Sequence, residues 1–154
     1  MFIDSSLEMA DNVAVFDGTS VDQFGTGKEI RAVIGDNATV DLSGGEPIYV
    51  VIEVTEALGG ATSYEIQFFT HTAATSIESG DLLFTTGAVA AADFVVGKRF
   101  VFTLPEAEYK AFVGIGGKRV GSAVSAGKVN AYITKDVRNW DGSKTRVPAT
   151  DPAN

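Results

Sequence analysis

Apolar and polar residues alternate along several short stretches of this chain. The clearest stretch is 63–70, where Tyr64, Ile66 and Phe68 alternate with polar side chains. Alternation over about four to eight residues is typical of a β-strand with one buried face, because successive side chains of a strand point to opposite sides. Other stretches show the same period, three clearly and five weakly: 48–55, 99–104 and 129–134, then 12–16, 30–34, 39–42, 82–85 and 111–115.

Turn-forming residues separate many of these stretches. The chain has 17 glycines, among them Gly59-Gly60, Gly97 and the pair Asp141-Gly142. Helix signals are few: residues 105–108 predict one helical turn, and residues 87–92 fit either a short helix or an irregular connection. Short strands with regular turns predict an all-β protein, a sandwich or a barrel. We expect a β-sandwich domain at 11–137 between an N-terminal arm, 1–10, and a flexible C-terminal extension, 138–154.

The stretch that begins at Ile48 differs from simple alternation. Its even-numbered positions from 48 to 54 are aliphatic and form one face, but the opposite face also carries Tyr49 and Val51. One interpretation is a central strand covered by a neighbouring loop. The other is a contact with a subunit or a partner, because contiguous exposed apolar surface marks interfaces.

Composition narrows the classes of function. The chain has 154 residues, no cysteine and a net charge of −8. An acidic domain repels phosphate backbones, which argues against a nucleic-acid partner. The first residues lack the basic region of a signal peptide, and no apolar run is long enough to span a membrane. We therefore expect a soluble protein with neither nucleic acid nor membrane as a partner, not secreted by the usual route.

Candidate catalytic chemistry is scarce. His71 is the single histidine, so a zinc site or a Ser-His-Asp triad would depend on it alone. The segment 114–119 is rich in glycine but lacks the spacing of a phosphate-binding loop, and we interpret it as a loop with basic residues at its tip. The acidic segment 11–18 does not match a calcium-binding loop. We predict no catalytic residue, no metal and no cofactor, and a surface position for His71.

Several segments, in this order along the chain, resemble the capsid cement (decoration) proteins of tailed bacteriophages of the Bordetella podophage type. The segments are 1–11, 45–54, 68–70, 87–89, 97–105 and 127–134. The extension that contains Trp140 has no counterpart in this pattern.

The resemblance implies a jelly-roll-like β-sandwich on the outer surface of the virion, assembled in the cytoplasm of the host bacterium. Its implied partners are the major capsid protein and further copies of itself, as a homodimer or homotrimer. The candidate contacts for the capsid or another subunit are Phe2, Ile3 and Leu7 of the arm, together with Tyr49 and Val51.

Two other functions are weaker alternatives. A carbohydrate- or receptor-binding sandwich of a tail fibre needs exposed aromatic side chains for stacking, and the single tryptophan lies in the extension. A jelly-roll enzyme of the cupin type needs several histidine ligands, but the chain has one.

Overall fold

The computed structural model of the chain describes residues 8–29, 48–104 and 109–134. These ranges contain nine strands and one 3₁₀ helix, Ile77–Ser79. The strands are β1 (Glu8–Ala14), β2 (Asp22–Glu29), β3 (Tyr49–Gly59), β4 (Ser63–His71), β5 (Asp81–Thr85), β6 (Val89–Ala90), β7 (Arg99–Thr103), β8 (Phe112–Val120) and β9 (Ala126–Thr134).

The strands form two antiparallel sheets. Sheet A has the order β1-β9-β3-β7, and sheet B has the order β2-β8-β4-β5, with β6 paired to the start of β4. The pairs β1–β9, β2–β8, β3–β7 and β4–β5 are nested along the chain, as if one long hairpin had been wound around a central axis. This nesting is the topology of a jelly roll. The predicted all-β, jelly-roll-like sandwich is therefore confirmed.

The hydrophobic core lies between the two sheets. Strand β3 contributes Val50, Ile52 and Val54, and β4 contributes Ile66 and Phe68, all of them buried. These are the positions that the alternating pattern assigns to an inward face. Because the two faces of a strand alternate strictly, the sequence period alone places them correctly.

Most of the predicted strands that lie in described structure are present at nearly the predicted positions, but two segments differ. The region 114–119 is not a loop: it lies inside β8. Residues 87–92 form neither a helix nor a wholly irregular connection, since β6 lies at Val89–Ala90 and is followed by a turn. The weak strands predicted at 30–34 and 39–42, the helical turn at 105–108 and the C-terminal extension lie outside the described residues.

Strand β2 has no counterpart among the predicted strands. Its sequence, Asp-Gln-Phe-Gly-Thr-Gly-Lys-Glu, has one large apolar residue, Phe24. Its pairing with β8 also shifts register between Phe24 and Lys28, which interrupts the period of two. A strand held by tertiary pairing and a bulge leaves no alternating pattern for sequence reasoning to detect.

Candidate functional site

The outward face of β3 carries the two candidate contact residues that lie in described structure. Tyr49 and Val51 lie on the side of sheet A opposite to the core between the sheets. Tyr49 is half-buried, whereas Val51 is 0% exposed although it lies outside that core. A fully buried side chain reaches no partner in this conformation, so the position of Val51 favours a covered central strand. The contact role of Tyr49 stays a prediction.

Val51 belongs to an apolar row that crosses sheet A. It pairs with Tyr132 of β9 on one side and with Val101 of β7 on the other. Tyr132 is also buried, but Val101 is 46% exposed. The row is therefore shielded from solvent at β9 and β3 but exposed to solvent at β7.

Charged groups flank this row. Arg99 Nη2 lies 3.2 Å from Glu53 Oε1, and both side chains are about three-quarters buried. Burial raises the pKa of the Tyr132 phenol; the nearby charge of Arg99 opposes that rise and Glu53 adds to it. The phenol therefore stays neutral at physiological pH, and this face of sheet A combines an apolar row with the partly buried pair Arg99–Glu53.

The remaining candidate contacts, Phe2, Ile3 and Leu7, lie outside the described residues. Strand β1 begins at Glu8, and Met9 and Ala10 are buried in the core between the sheets. The last three residues of the predicted arm are thus part of the sandwich.

His71 has a structural place in the connection that follows β4. Its Nδ1 accepts a hydrogen bond from the backbone N–H of Ala73 at 3.0 Å. Nδ1 also lies 3.2 Å from the Ala73 carbonyl oxygen, and Nε2 lies 3.2 Å from Ser79 Oγ. The Ser79 hydroxyl in turn donates to the carbonyl of Ser76. Because this hydroxyl donates to a backbone carbonyl, it does not offer its proton to His71 as the serine of a catalytic triad would.

The connection 72–80 covers part of the outer face of sheet B. Gln23 of β2 holds it with both ends of its amide: Nε2 donates to the Ala74 carbonyl, and Oε1 accepts from the Ile77 N–H, each at 3.0 Å. Ile77 is fully buried above Gly114, where a Cβ atom would lie 3.2 Å from its Cγ1. Gly114 therefore lets a second layer pack closely on the sheet, whereas Gly117 faces Tyr64 and Phe24 of the core.

Glu65 of β4 is an acidic residue whose carboxylate is bound by three neighbouring side chains. It accepts hydrogen bonds from Gln67 and Thr85, and Lys118 Nζ lies 3.4 Å from its other oxygen. The hydrogen bond from Gln67, followed by those from Thr85 and the charge of Lys118, outweighs partial burial and lowers the pKa of Glu65. A general acid needs a raised pKa, so Glu65 does not suit that role.

The acidic side chains of the described ranges do not assemble into a metal site. Asp17, from the segment compared above with a calcium-binding loop, accepts a hydrogen bond from the Val124 N–H and pairs with Arg119. Within residues 8–29, 48–104 and 109–134, no three His, Asp or Glu side chains converge on a point that could hold a metal ion.

Residues 95–98 form an exposed apolar turn that sequence reasoning missed. A bond from the Lys98 N–H to the Val95 carbonyl closes this β-turn, with Gly97 at φ +84°. Val95 is 45% exposed and Val96 is 66% exposed. The turn is anchored by Phe94, which is fully buried, and by the bond from the Gly97 N–H to the Val54 carbonyl. The turn therefore holds two exposed valines in a fixed conformation, which reduces the conformational entropy that they would lose on binding a partner.

Comparison with known proteins identifies the family. The model of a family described as Bbp16 matches residues 33–133, more than half of the chain. The chain belongs to the Bbp16 family. This is a Bordetella phage family, so the resemblance to proteins of Bordetella phages is confirmed. The Bbp16 match spans β3 to β8 and all of β9 except Thr134, whereas β1 and β2 precede it.

No curated protein matches the chain. In the described part of the chain, no helix has the length and apolar character needed to cross a membrane.

Proposed function

We propose that this protein decorates and cements the outside of an icosahedral phage head. It bridges neighbouring subunits of the major capsid protein and stabilises the expanded shell, as a homodimer or homotrimer. The observation that carries the proposal is the match to a Bordetella phage family across most of a jelly-roll sandwich. The protein reaches the outer surface of the virion after assembly in the host cytoplasm and acts by contact, without catalysis or a cofactor.

The charge of the protein supports an outer position. With a net charge of −8, the protein is repelled by packaged DNA and is not drawn into the head. Binding that favours the expanded shell over its precursor shifts the equilibrium between the two by mass action. Weak identical contacts made by an oligomer add together through multivalency.

The loop end of the sandwich is the described surface best suited to contact the capsid. It comprises the connections 15–21, 60–62, 91–98 and 121–125. Hydrogen bonds tie the connection 60–62 to its neighbours: the Thr62 N–H donates to the carbonyl of Val120 at the end of β8, and the Ala91 N–H donates to the Thr62 carbonyl. Val120 is exposed at this end, and Val95 and Val96 are exposed on the turn that leads from it to β7. A fixed surface with exposed valines buries apolar area on binding at little cost in conformational entropy.

The described surface gives less support to sugar binding. Its exposed large apolar residues are Leu82, Val95, Val96, Val101 and Val120, none of which is aromatic. Stacking on a sugar ring needs an aromatic face, so the described residues offer no platform for it.

We expect the purified protein to co-sediment with expanded empty shells at a fixed ratio to the major capsid protein, and to bind unexpanded precursor shells much more weakly. Decorated shells should also open at a higher temperature in a calorimetric scan. The matched control is an unrelated acidic β-sandwich of similar size. Equal sedimentation of the two proteins with expanded shells would contradict the proposal.

Replacing Val96 with aspartate should weaken binding to expanded shells by roughly tenfold, because a charge would then have to be desolvated at an apolar contact. The side chain is mostly exposed, so the melting temperature should stay within about a degree or two of the wild type. Leu82→Asp is the matched control, since Leu82 is also exposed but lies on β5, away from the loop end. Unchanged shell binding by Val96→Asp would remove the 95–98 turn as a contact surface.

A further inference from the structure

The exposed apolar side chains of the described residues concentrate along one edge of the sandwich. Four of the five exposed large apolar residues, Leu82, Val95, Val96 and Val101, lie on β5, on β7 or on the connection that leads into β7. Among the described strands, β7 pairs with β3 alone and so forms the edge of sheet A. Val101 is therefore an exposed valine on an edge strand.

The hydrogen-bond directions of β7 leave part of its backbone facing outward. The Leu104 N–H donates to the Ile48 carbonyl at 2.8 Å, and the Lys98 carbonyl accepts from the Val54 N–H at 2.9 Å. Even-numbered residues of this segment therefore bond to β3. Because the bonding direction alternates along an antiparallel strand, the N–H and C=O groups of Val101 and Thr103 point away from sheet A.

From Arg99 to Thr103, β7 contains no lysine, proline or bulge that would block strand pairing. Isolated edges are commonly blunted by an outward lysine, a proline or a bulge. The register between β3 and β7 runs from Tyr49–Thr103 to Glu53–Arg99 without a shift, and a half-exposed valine lies at its centre. That valine ends the apolar row that begins with the buried Tyr132 and Val51. The row stops at the edge where a neighbouring strand would continue it.

We propose that β7 pairs antiparallel with β7 of a second copy, around a two-fold axis at Val101. In this register, Val101 exchanges both backbone hydrogen bonds with Val101 of the other copy, and Arg99 lies opposite Thr103. Phe100 lies opposite Phe102, a favourable aromatic cross-strand pair. The interface is isologous, as a two-fold axis requires, and it makes sheet A continuous across the dimer.

The sequence of β7 is self-complementary about this axis, which favours a second copy over another partner. In Arg99-Phe100-Val101-Phe102-Thr103, inversion about Val101 places apolar opposite apolar and the cation opposite a neutral hydroxyl. No like charges within β7 face each other directly, although each protein carries a net charge of −8. The inference deepens the self-association in the proposed function but does not depend on capsid binding.

Sedimentation equilibrium without shells tests the interface. The wild-type protein should be a dimer at micromolar concentration, and Val101→Lys should raise its dissociation constant by at least roughly tenfold, because two lysines would then face each other across the axis. Val120→Lys is the matched control, since Val120 is equally exposed but lies at the end of β8. A monomeric or trimeric wild type, or a Val101→Lys variant that stays dimeric, would overturn the proposal. Because shells are absent, failure here does not bear on capsid binding itself, which co-sedimentation measures separately.

Disulfide trapping tests the register. The chain contains no cysteine, so a single introduced thiol reports one position. Directly opposed hydrogen-bonded residues have Cα atoms about 5.5 Å apart, within the range of a disulfide. Val101→Cys should therefore form a covalent dimer on mild oxidation. Thr103→Cys should not, because the two copies of position 103 would be roughly 13 Å apart along the strands. Equal cross-linking at both positions, or trapping at 103 alone, would overturn the two-fold register at Val101. Absence of cross-linking at both positions would favour a strand from another protein at this edge.

Discussion

We expect Tyr64→Ala to lower the free energy of unfolding by about 3–5 kcal/mol, the usual cost of deleting a large buried aromatic side chain. Tyr64 of β4 is fully buried. Its ring meets Phe24 and Phe94 edge to face, at centroid distances of 6.3 and 5.9 Å. It thus joins β2, β4 and the connection after β6 in one aromatic cluster. Equilibrium unfolding in urea, followed by far-ultraviolet circular dichroism, measures the loss.

Tyr64→Phe separates the ring from its hydroxyl. The hydroxyl donates to the Phe16 carbonyl at 3.0 Å, and burial raises the pKa of the phenol, so the donor stays protonated. Removing one such bond should cost about 1 kcal/mol. If Tyr64→Phe destabilised the protein as much as Tyr64→Ala does, the hydrogen bond, and not packing of the ring, would dominate at this position.

Gly60→Ala should also destabilise the protein strongly. Gly60 lies in the connection between β3 and β4 with φ +83°, and a Cβ atom there would overlap the Ala123 carbonyl and lie 2.9 Å from the Ser125 nitrogen. Both neighbours are backbone atoms of the connection between β8 and β9, which cannot move aside as a flexible side chain would. We expect a loss of about 2–4 kcal/mol in urea unfolding, from the left-handed backbone and the overlap together.

Gly97→Ala is the matched control for that prediction. Gly97 has almost the same φ, +84°, but a Cβ atom there would have no neighbour within 4 Å. Its substitution should therefore cost only the penalty of the left-handed conformation, about 1–2 kcal/mol. The difference between the two variants measures the steric term. Equal losses of stability would show that the connections 60–62 and 121–125 are not packed against each other as described.

The alternating strands could be predicted from the sequence because their signal is local. Side chains of β4 and β9 alternate between core and surface, and that alternation is present in the order of the residues itself. Turn positions such as Gly59-Gly60 and Gly97 follow from the same local reasoning. Gly116-Gly117 shows its limit: both glycines lie inside β8 because tertiary packing, and not a turn, requires them to be small.

The candidate contact surface was predictable only in part. The alternating pattern assigns Tyr49 and Val51 to an outward face, but it does not reveal that Val51 is buried there while Val101, in the same row, is open at the edge. That difference depends on which strand ends a sheet. Strand order is a property of pairing between segments far apart in the chain, so no short stretch of residues encodes it.

Local sequence was sufficient for the all-β class, the inward residues of the main strands, the acidic charge and the resemblance to a Bordetella phage family. Tertiary structure was needed for the nested pairing of the strands, the existence of β2, the covering of sheet B by residues 72–80 and the position of β7 at an edge. The physical reason is one of range. Strand period and charge are set by neighbouring residues, whereas strand order, bulges and exposed edges arise only when distant segments compete for the same hydrogen-bonding partners.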